Sequence, residues 1–168
     1  ARLKEMPFLC RMAIAKPELI AALRLTADRL SDGERYSWSH MGNCNCGHLA
    51  QTITQHSGAQ IHSSALRRSG DWSEQVIDYC PTSGFAIDDI ITAMLNMGLN
   101  TSDLQHLERR SDQRVLRRFP VGERYLKHNV REDVVAYMRA WADLLQTDLE
   151  QVRPIEQPFY KEEAVAVH

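Results

Sequence analysis

Apolar residues recur along this chain at spacings of three and four, the period that lines them up on one face of an α-helix. Leu19, Ile20, Leu23, Ala27 and Leu30 keep that period behind Pro17, a residue suited to a first helical position, and Ser31-Asp32-Gly33 breaks the run. A helix from Pro17 to about Leu30 is predicted. Asn43 or Asn45 is placed to cap a second helix that carries Leu49, Ala50 and Ile53 and ends near Ser57-Gly58, and a short helical turn from Ile61 to Leu66 follows.

Asp71 with Glu74 three residues later has the form of a capping box. The helix it opens is expected to place Val76, Ile77 and Cys80 on one face until Pro81 forbids continuation. Beyond Ser83-Gly84, the positions Ile87, Ile90, Ile91, Met94 and Leu95 define the clearest helix of the middle region, and Gly98 stands where a left-handed C-cap belongs. Thr101 or Ser102 starts the next helix, with Leu104 and Leu107 inward. Ser111 is expected to cap a short helix bearing Val115 and Leu116. The last long helix starts after Asn129 and carries Val134, Val135, Met138, Trp141, Leu144 and Leu145, a stripe broad enough to need cover from other helices.

These segments predict an all-α protein: a single-domain irregular bundle of six to eight helices over 1–152, then an extended tail over 153–168, where Pro154 and Pro158 interrupt the pattern. A length of 168 residues suits one domain, and 43% hydrophobic with 25% charged residues is a globular composition. No apolar run is long enough to cross a bilayer, and the first fifteen residues mix charges with apolar positions, unlike a secretory leader. Four cysteines, Cys10, Cys44, Cys46 and Cys80, are too few and too uneven for a disulfide scaffold, so free thiols in a cytoplasmic setting are expected.

The concentrated chemistry lies between His40 and His48, where two thiols and two imidazoles fall within nine residues. Thiolate and imidazole are the ligands that zinc and similar transition metals prefer, and a loop turning into a helix can aim several of them at one point. Cys44, Cys46, His48 and Cys80 are the candidate metal ligands, with zinc or another transition metal as the implied cofactor. Alternatively, Cys46 on the first turn of the second helix meets unpaired backbone N–H groups that favour its thiolate, which makes it a candidate nucleophile with His40 as its base. The third reading is packing: Cys46 shares a face with Leu49, Ala50 and Ile53 and serves as a small buried hydrophobe.

A net charge of −2 gives no global attraction to nucleic acid or to an anionic membrane, so such a partner needs a local patch. One exists. From Gln105 to Arg131 there are eight Lys or Arg residues, among them Arg109, Arg110, Arg114, Arg117 and Arg118, against Glu108, Asp112 and Glu123. Just upstream, the two helices around Gly98 have the rhythm of a helix-turn-helix, although the second opens with Asp103, where a phosphate would be met. The stretch therefore suggests an interaction module that binds nucleic acid or an acidic protein, with no membrane partner.

Overall fold

The computed structural model describes residues 13–152; Cys10 and the expected tail over 153–168 lie outside them. Eight helices and no strand are found among the described residues: α1 (Pro17–Ser31), α2 (Asn45–Thr54), α3 (Gly58–Ala65), α4 (Trp72–Gln75), α5 (Ala86–Asn96), α6 (Thr101–Arg109), α7 (Gln113–Leu116) and α8 (Arg131–Val152). The all-α bundle expected from apolar spacing is the observed fold. No helix among the described residues is long and apolar enough to cross a membrane.

The most extensive packing joins α1 to α8. Leu19, Leu23, Ala27 and Leu30 of α1 and Val134, Met138, Ala142 and Leu145 of α8 are all fully enclosed. Complete burial of one such aliphatic side chain stabilises the fold by about 1.5–3 kcal/mol. The ion pairs Arg24–Asp143 and Arg139–Asp28 bridge the exposed flanks of this seam and contribute less, about 0–1 kcal/mol each.

α2 is the hub, in contact with α1, α3, α5 and α6. Its first six residues, Asn45 to Ala50, are buried, so even its polar start must find partners inside the protein. Neither candidate asparagine caps it: Cys44 occupies the N-cap without a side-chain bond and Asn45 is the first helical residue. α2 also stops earlier than expected, at Thr54, because Gln55 turns left-handed and leaves Ser57 free to cap α3 in a capping box with Gln60.

Asp71 and Glu74 form their capping box, yet α4 lasts only four residues. Its continuation is drawn off by tertiary bonds: Arg68 Nη1 donates to the Asp78 carbonyl, and the Tyr79 hydroxyl pairs with Thr92. Ile77 and Cys80 consequently face solvent rather than sharing a buried face with Val76. Gly98 adopts the expected left-handed conformation, φ 109°. A Cβ there would also crowd the Ile14 carbonyl, which accepts no such intrusion because Ile14 N–H is already bonded to the Gly98 carbonyl. Asn100 caps α6 together with Asp103, and Asp112, one residue after the expected Ser111, caps α7.

Candidate functional site

Residues 36–48 form a compact loop that ends in the buried start of α2. Ser37 N–H bonds to the Asn43 carbonyl, and Asn43 and Cys44 N–H both bond to the His40 carbonyl. A Cβ at Gly42 would overlap the Gly58 carbonyl, and one at Gly47 would overlap the Met41 carbonyl. The two glycines of this Cys-rich stretch are therefore required by backbone packing between the loop, α2 and α3. The Trp72 indole N–H, reaching the Met41 carbonyl at 2.9 Å, pins the same loop from below.

Cys44 and Cys46 are both sealed from solvent. Cys44 Sγ donates to the Met41 carbonyl at 3.5 Å and Cys46 Sγ to the Leu104 carbonyl at 3.2 Å. Burial first, and the neighbouring Glu108 carboxyl second, push both thiols well above the usual cysteine range. Glu108 is itself buried, accepts the Cys46 N–H at 3.5 Å, and is pushed up by burial toward its neutral acid. The helix start that was expected to favour a thiolate at Cys46 is thus outweighed by desolvation, and the free N–H it would have offered is taken by Glu108.

The imidazoles point elsewhere. His48 is buried; its Nε2 donates to the Arg35 carbonyl at 2.9 Å, and its Nδ1, without a hydrogen-bond partner, lies 3.6 Å from the Glu34 carboxylate. Burial lowers its pKa, which keeps the ring neutral. His40 stacks on His62 with ring centroids 3.9 Å apart. Their Nδ1 atoms accept the Gly42 and Met41 amides respectively, and burial followed by the His62 charge lowers the His40 pKa. His40 therefore serves the loop backbone and makes no hydrogen bond to Cys46.

Cys44 and Cys46 thus meet around Glu108, whereas His48 meets Glu34 and Arg35, His40 meets His62, and Cys80 lies exposed beside Thr82. These donors do not gather into a four-ligand zinc centre: the two thiols are bonded to carbonyls, one imidazole nitrogen is committed to a carbonyl, and Cys80 is at the surface. Among the described residues no group of three or more His, Cys, Asp or Glu is arranged to hold a metal ion. Sequence spacing missed Glu108, which reaches the thiols from another helix; its place one turn after Leu104 on the inward face of α6 was the available signal.

The basic stretch divides into three environments. Arg114 is held by both oxygens of Asp148, at 3.0 and 2.9 Å. Arg110 is buried, 3% exposed, and its Nη2 donates to His128 Nδ1 at 2.7 Å. Arg109, Arg117 and Arg118 are exposed and, among the described residues, make no ion pair; the same holds for Arg124 and Lys127 in the loop that follows. That loop exposes Val121 and Tyr125 almost completely. Beside it lies a cleft of about 440 Å³ lined in part by Phe119, Tyr125, Leu126 and Val130, with Glu123, Lys127 and Asp133 at its edges.

At the start of α6, the recognition position of a helix-turn-helix, Thr101 is exposed and Ser102 half-buried, while Asp103 is turned inward. Asp103 is buried there, accepting N–H groups from Ala13 at 3.1 Å and Asn100 at 2.7 Å.

No protein-family model matches the chain, and no curated protein or solved structure matches it either.

Proposed function

We propose that this protein is an interaction module that docks an acidic protein segment through the basic loop after α7, with the Cys44 and Cys46 thiols serving as packing in the hub of the bundle. The observation that carries the reading is the exposure of Arg117, Arg118, Arg124 and Lys127, whose side chains form no ion pair with a described carboxylate, in the same segment as the projecting Val121 and Tyr125. Arginine and tyrosine together supply charge and a rigid amphipathic contact, the combination enriched at protein interfaces. A protein partner is favoured over nucleic acid because Asp103 places an acid in the first turn of α6, where a phosphate would be met.

The test is binding of a fluorescent oligoglutamate peptide and, separately, a labelled DNA duplex at two salt concentrations. The expected result is peptide binding that weakens steeply with salt and falls at least about tenfold when Arg117→Glu and Arg118→Glu are combined. Both side chains are exposed, so the double variant should keep its thermal midpoint. Duplex binding tighter than peptide binding would replace the acidic protein with nucleic acid, and no binding of either at low salt would remove the reading.

A further inference from the structure

His40 and His62 come from different elements, the loop before α2 and the helix α3, yet their rings stack with centroids 3.9 Å apart and planes only 17° from parallel. Each ring uses Nδ1 in the same way. His62 Nδ1 accepts the Met41 N–H at 3.1 Å, and His40 Nδ1 accepts the Gly42 N–H at 3.2 Å. A ring nitrogen that accepts a hydrogen bond carries a lone pair, so in both neutral rings the proton sits on Nε2. Two consecutive backbone amides thus hang on two imidazole lone pairs, and neither ring keeps a second lone pair to offer a metal ion.

The peptides held in this way fix the loop to the rest of the bundle. The Met41 carbonyl accepts the Trp72 indole N–H at 2.9 Å and the Cys44 thiol at 3.5 Å, and the Gly42 carbonyl accepts Gln51 Nε2 at 2.6 Å. Cys44, which follows two residues later, is sealed from solvent.

Protonation removes the acceptor. An imidazolium has two N–H donors and no lone pair, so a proton on either ring breaks one of the two amide bonds, and a second proton sets two like charges face to face. The surroundings give no relief. A cation at His40 faces His62 of α3 and Arg35 of the loop, with His48 of α2 also within its field. Among the described residues neither His40 nor His62 forms an ion pair with a carboxylate. Burial, then His62 and Arg35, hold His40 below its usual 6.5, so the contribution of its neutral form is complete above 6.5 and is lost as pH falls. Both rings are half-buried, which leaves them within reach of solvent protons while the bundle stays folded.

We propose that the stacked His40 and His62 rings are an acid-sensitive latch: neutral, they hold the 41–42 peptides in place, and on acidification they release the loop and uncover the Cys44 thiol that the Met41 carbonyl caps. The latch is separate from the basic loop proposed above to dock an acidic protein, so either assignment can fail alone.

The test follows amide exchange of Met41 and Gly42 in the full chain at about pH 7.5 and about pH 5, each corrected for the intrinsic rate of an unfolded amide. Brief treatment with dithiodipyridine, which attacks thiols in acid, runs alongside. Protection of both amides should fall at least about tenfold at the lower pH, and Cys44 should become labelled only there. The control combines His40→Asn with His62→Asn. An Asn side-chain oxygen stands close to the place of Nδ1 and accepts the same amides, but it takes up no proton, so the double variant should keep its protection at both pH values. Asp103, Glu108 and His48 still titrate in that variant, so an equal loss of protection there would put the cause outside the pair and overturn the proposal. Full protection of both amides in wild type at about pH 5 overturns it too. If the double variant fails to fold, the wild-type imidazole nitrogen shifts decide: the rings must gain protons in step with the loss of amide protection, and rings that charge while the amides stay protected sink the latch.

Discussion

The side-chain amide of Asn45 donates to two carbonyls at once, those of Leu107 and Glu108, each at 3.0 Å, and so ties the first turn of α2 to the last turn of α6. The last carbonyls of a helix lack their usual partners, and a residue 62 and 63 positions away supplies a donor to both, the Leu107 carbonyl also taking the Arg110 N–H at 3.4 Å. The Tyr36 hydroxyl in turn donates to Asn45 Oδ1 at 2.8 Å, which completes the amide. Replacing Asn45 with Ala strands the Glu108 carbonyl and the Tyr36 phenol and leaves the Leu107 carbonyl with only the long Arg110 bond, and should cost about 2–3 kcal/mol, read as a lower urea midpoint with unchanged slope. Asn45→Asp should cost at least as much, since it sets a carboxylate against the same carbonyls. A loss below about 1 kcal/mol for either would mean that water replaces the amide freely.

Thiol reactivity separates packing from chemistry. Cys80 is exposed, and hydrogen bonds from Thr82 lower its pKa, whereas Cys44 and Cys46 are enclosed and pushed up. Brief alkylation of the native protein, mapped by mass spectrometry, should label Cys80 and leave Cys44 and Cys46 untouched until denaturant is added. Rapid labelling of Cys46 in the native state would return it to candidacy as a nucleophile.

Three buried groups shape the pH dependence of stability, two in one direction and one in the other. Asp103 is pushed up by burial from 3.8 to about 6, so between those values the folded protein holds a proton that the unfolded chain has released. Its contribution is fully present below 3.8 and is lost as pH rises through about 6, by up to about 3 kcal/mol. Glu108, also raised, acts with the same sign. His48, lowered by burial from 6.5, acts against them: its contribution is complete above 6.5 and is lost as pH falls. Asp103→Asn should therefore leave a profile in which stability rises more steeply with pH between 4 and 6 than in the wild type. Urea midpoints across that window that superimpose for the two proteins would refute the assignment.

Arg68 holds Asp88 through two parallel hydrogen bonds of 3.0 and 2.7 Å, with Ser83 on the same carboxylate and the Phe85 ring 4.6 Å from the guanidinium carbon. Asp88 is almost fully buried, so removing the arginine leaves an enclosed charge without its partner. Arg68→Ala should destabilise by about 3 kcal/mol or more, well beyond the exposed pair Arg24–Asp143, whose Arg24→Ala counterpart should cost less than about 1 kcal/mol. Thermal unfolding of both variants makes the comparison. Equal losses would contradict the role of burial.

Apolar periodicity made the number, type and approximate span of the helices legible, because α1, α5 and α8 each bury one continuous stripe. The ends were harder to read, since they depend on tertiary partners. α2 stops at a left-handed Gln55, and α4 is cut short by bonds from Arg68 and Thr92 that no local pattern announces. At the candidate site the density of Cys and His over 40–48 drew the reading, and proximity along the chain was taken as convergence in space. Cys44 and His48 lie one turn apart and still face different neighbours, Glu108 for the thiol and Glu34 for the ring. The same limit applies to the arginines: only coordinates separate the buried Arg110 and the paired Arg114 from the free Arg117 and Arg118.

The seam between α1 and α8 has a consequence for biosynthesis. The first and last described helices are one another's principal cover, and their bridging residues Asp28 and Arg139 stand 111 positions apart. A nascent chain emerging from the ribosome must carry the bare aliphatic stripe of α1 until α8 clears the exit tunnel. Native closure is therefore a late event, and a chain arrested before residue 131 should be a substrate for chaperones and proteases instead of a smaller folded unit.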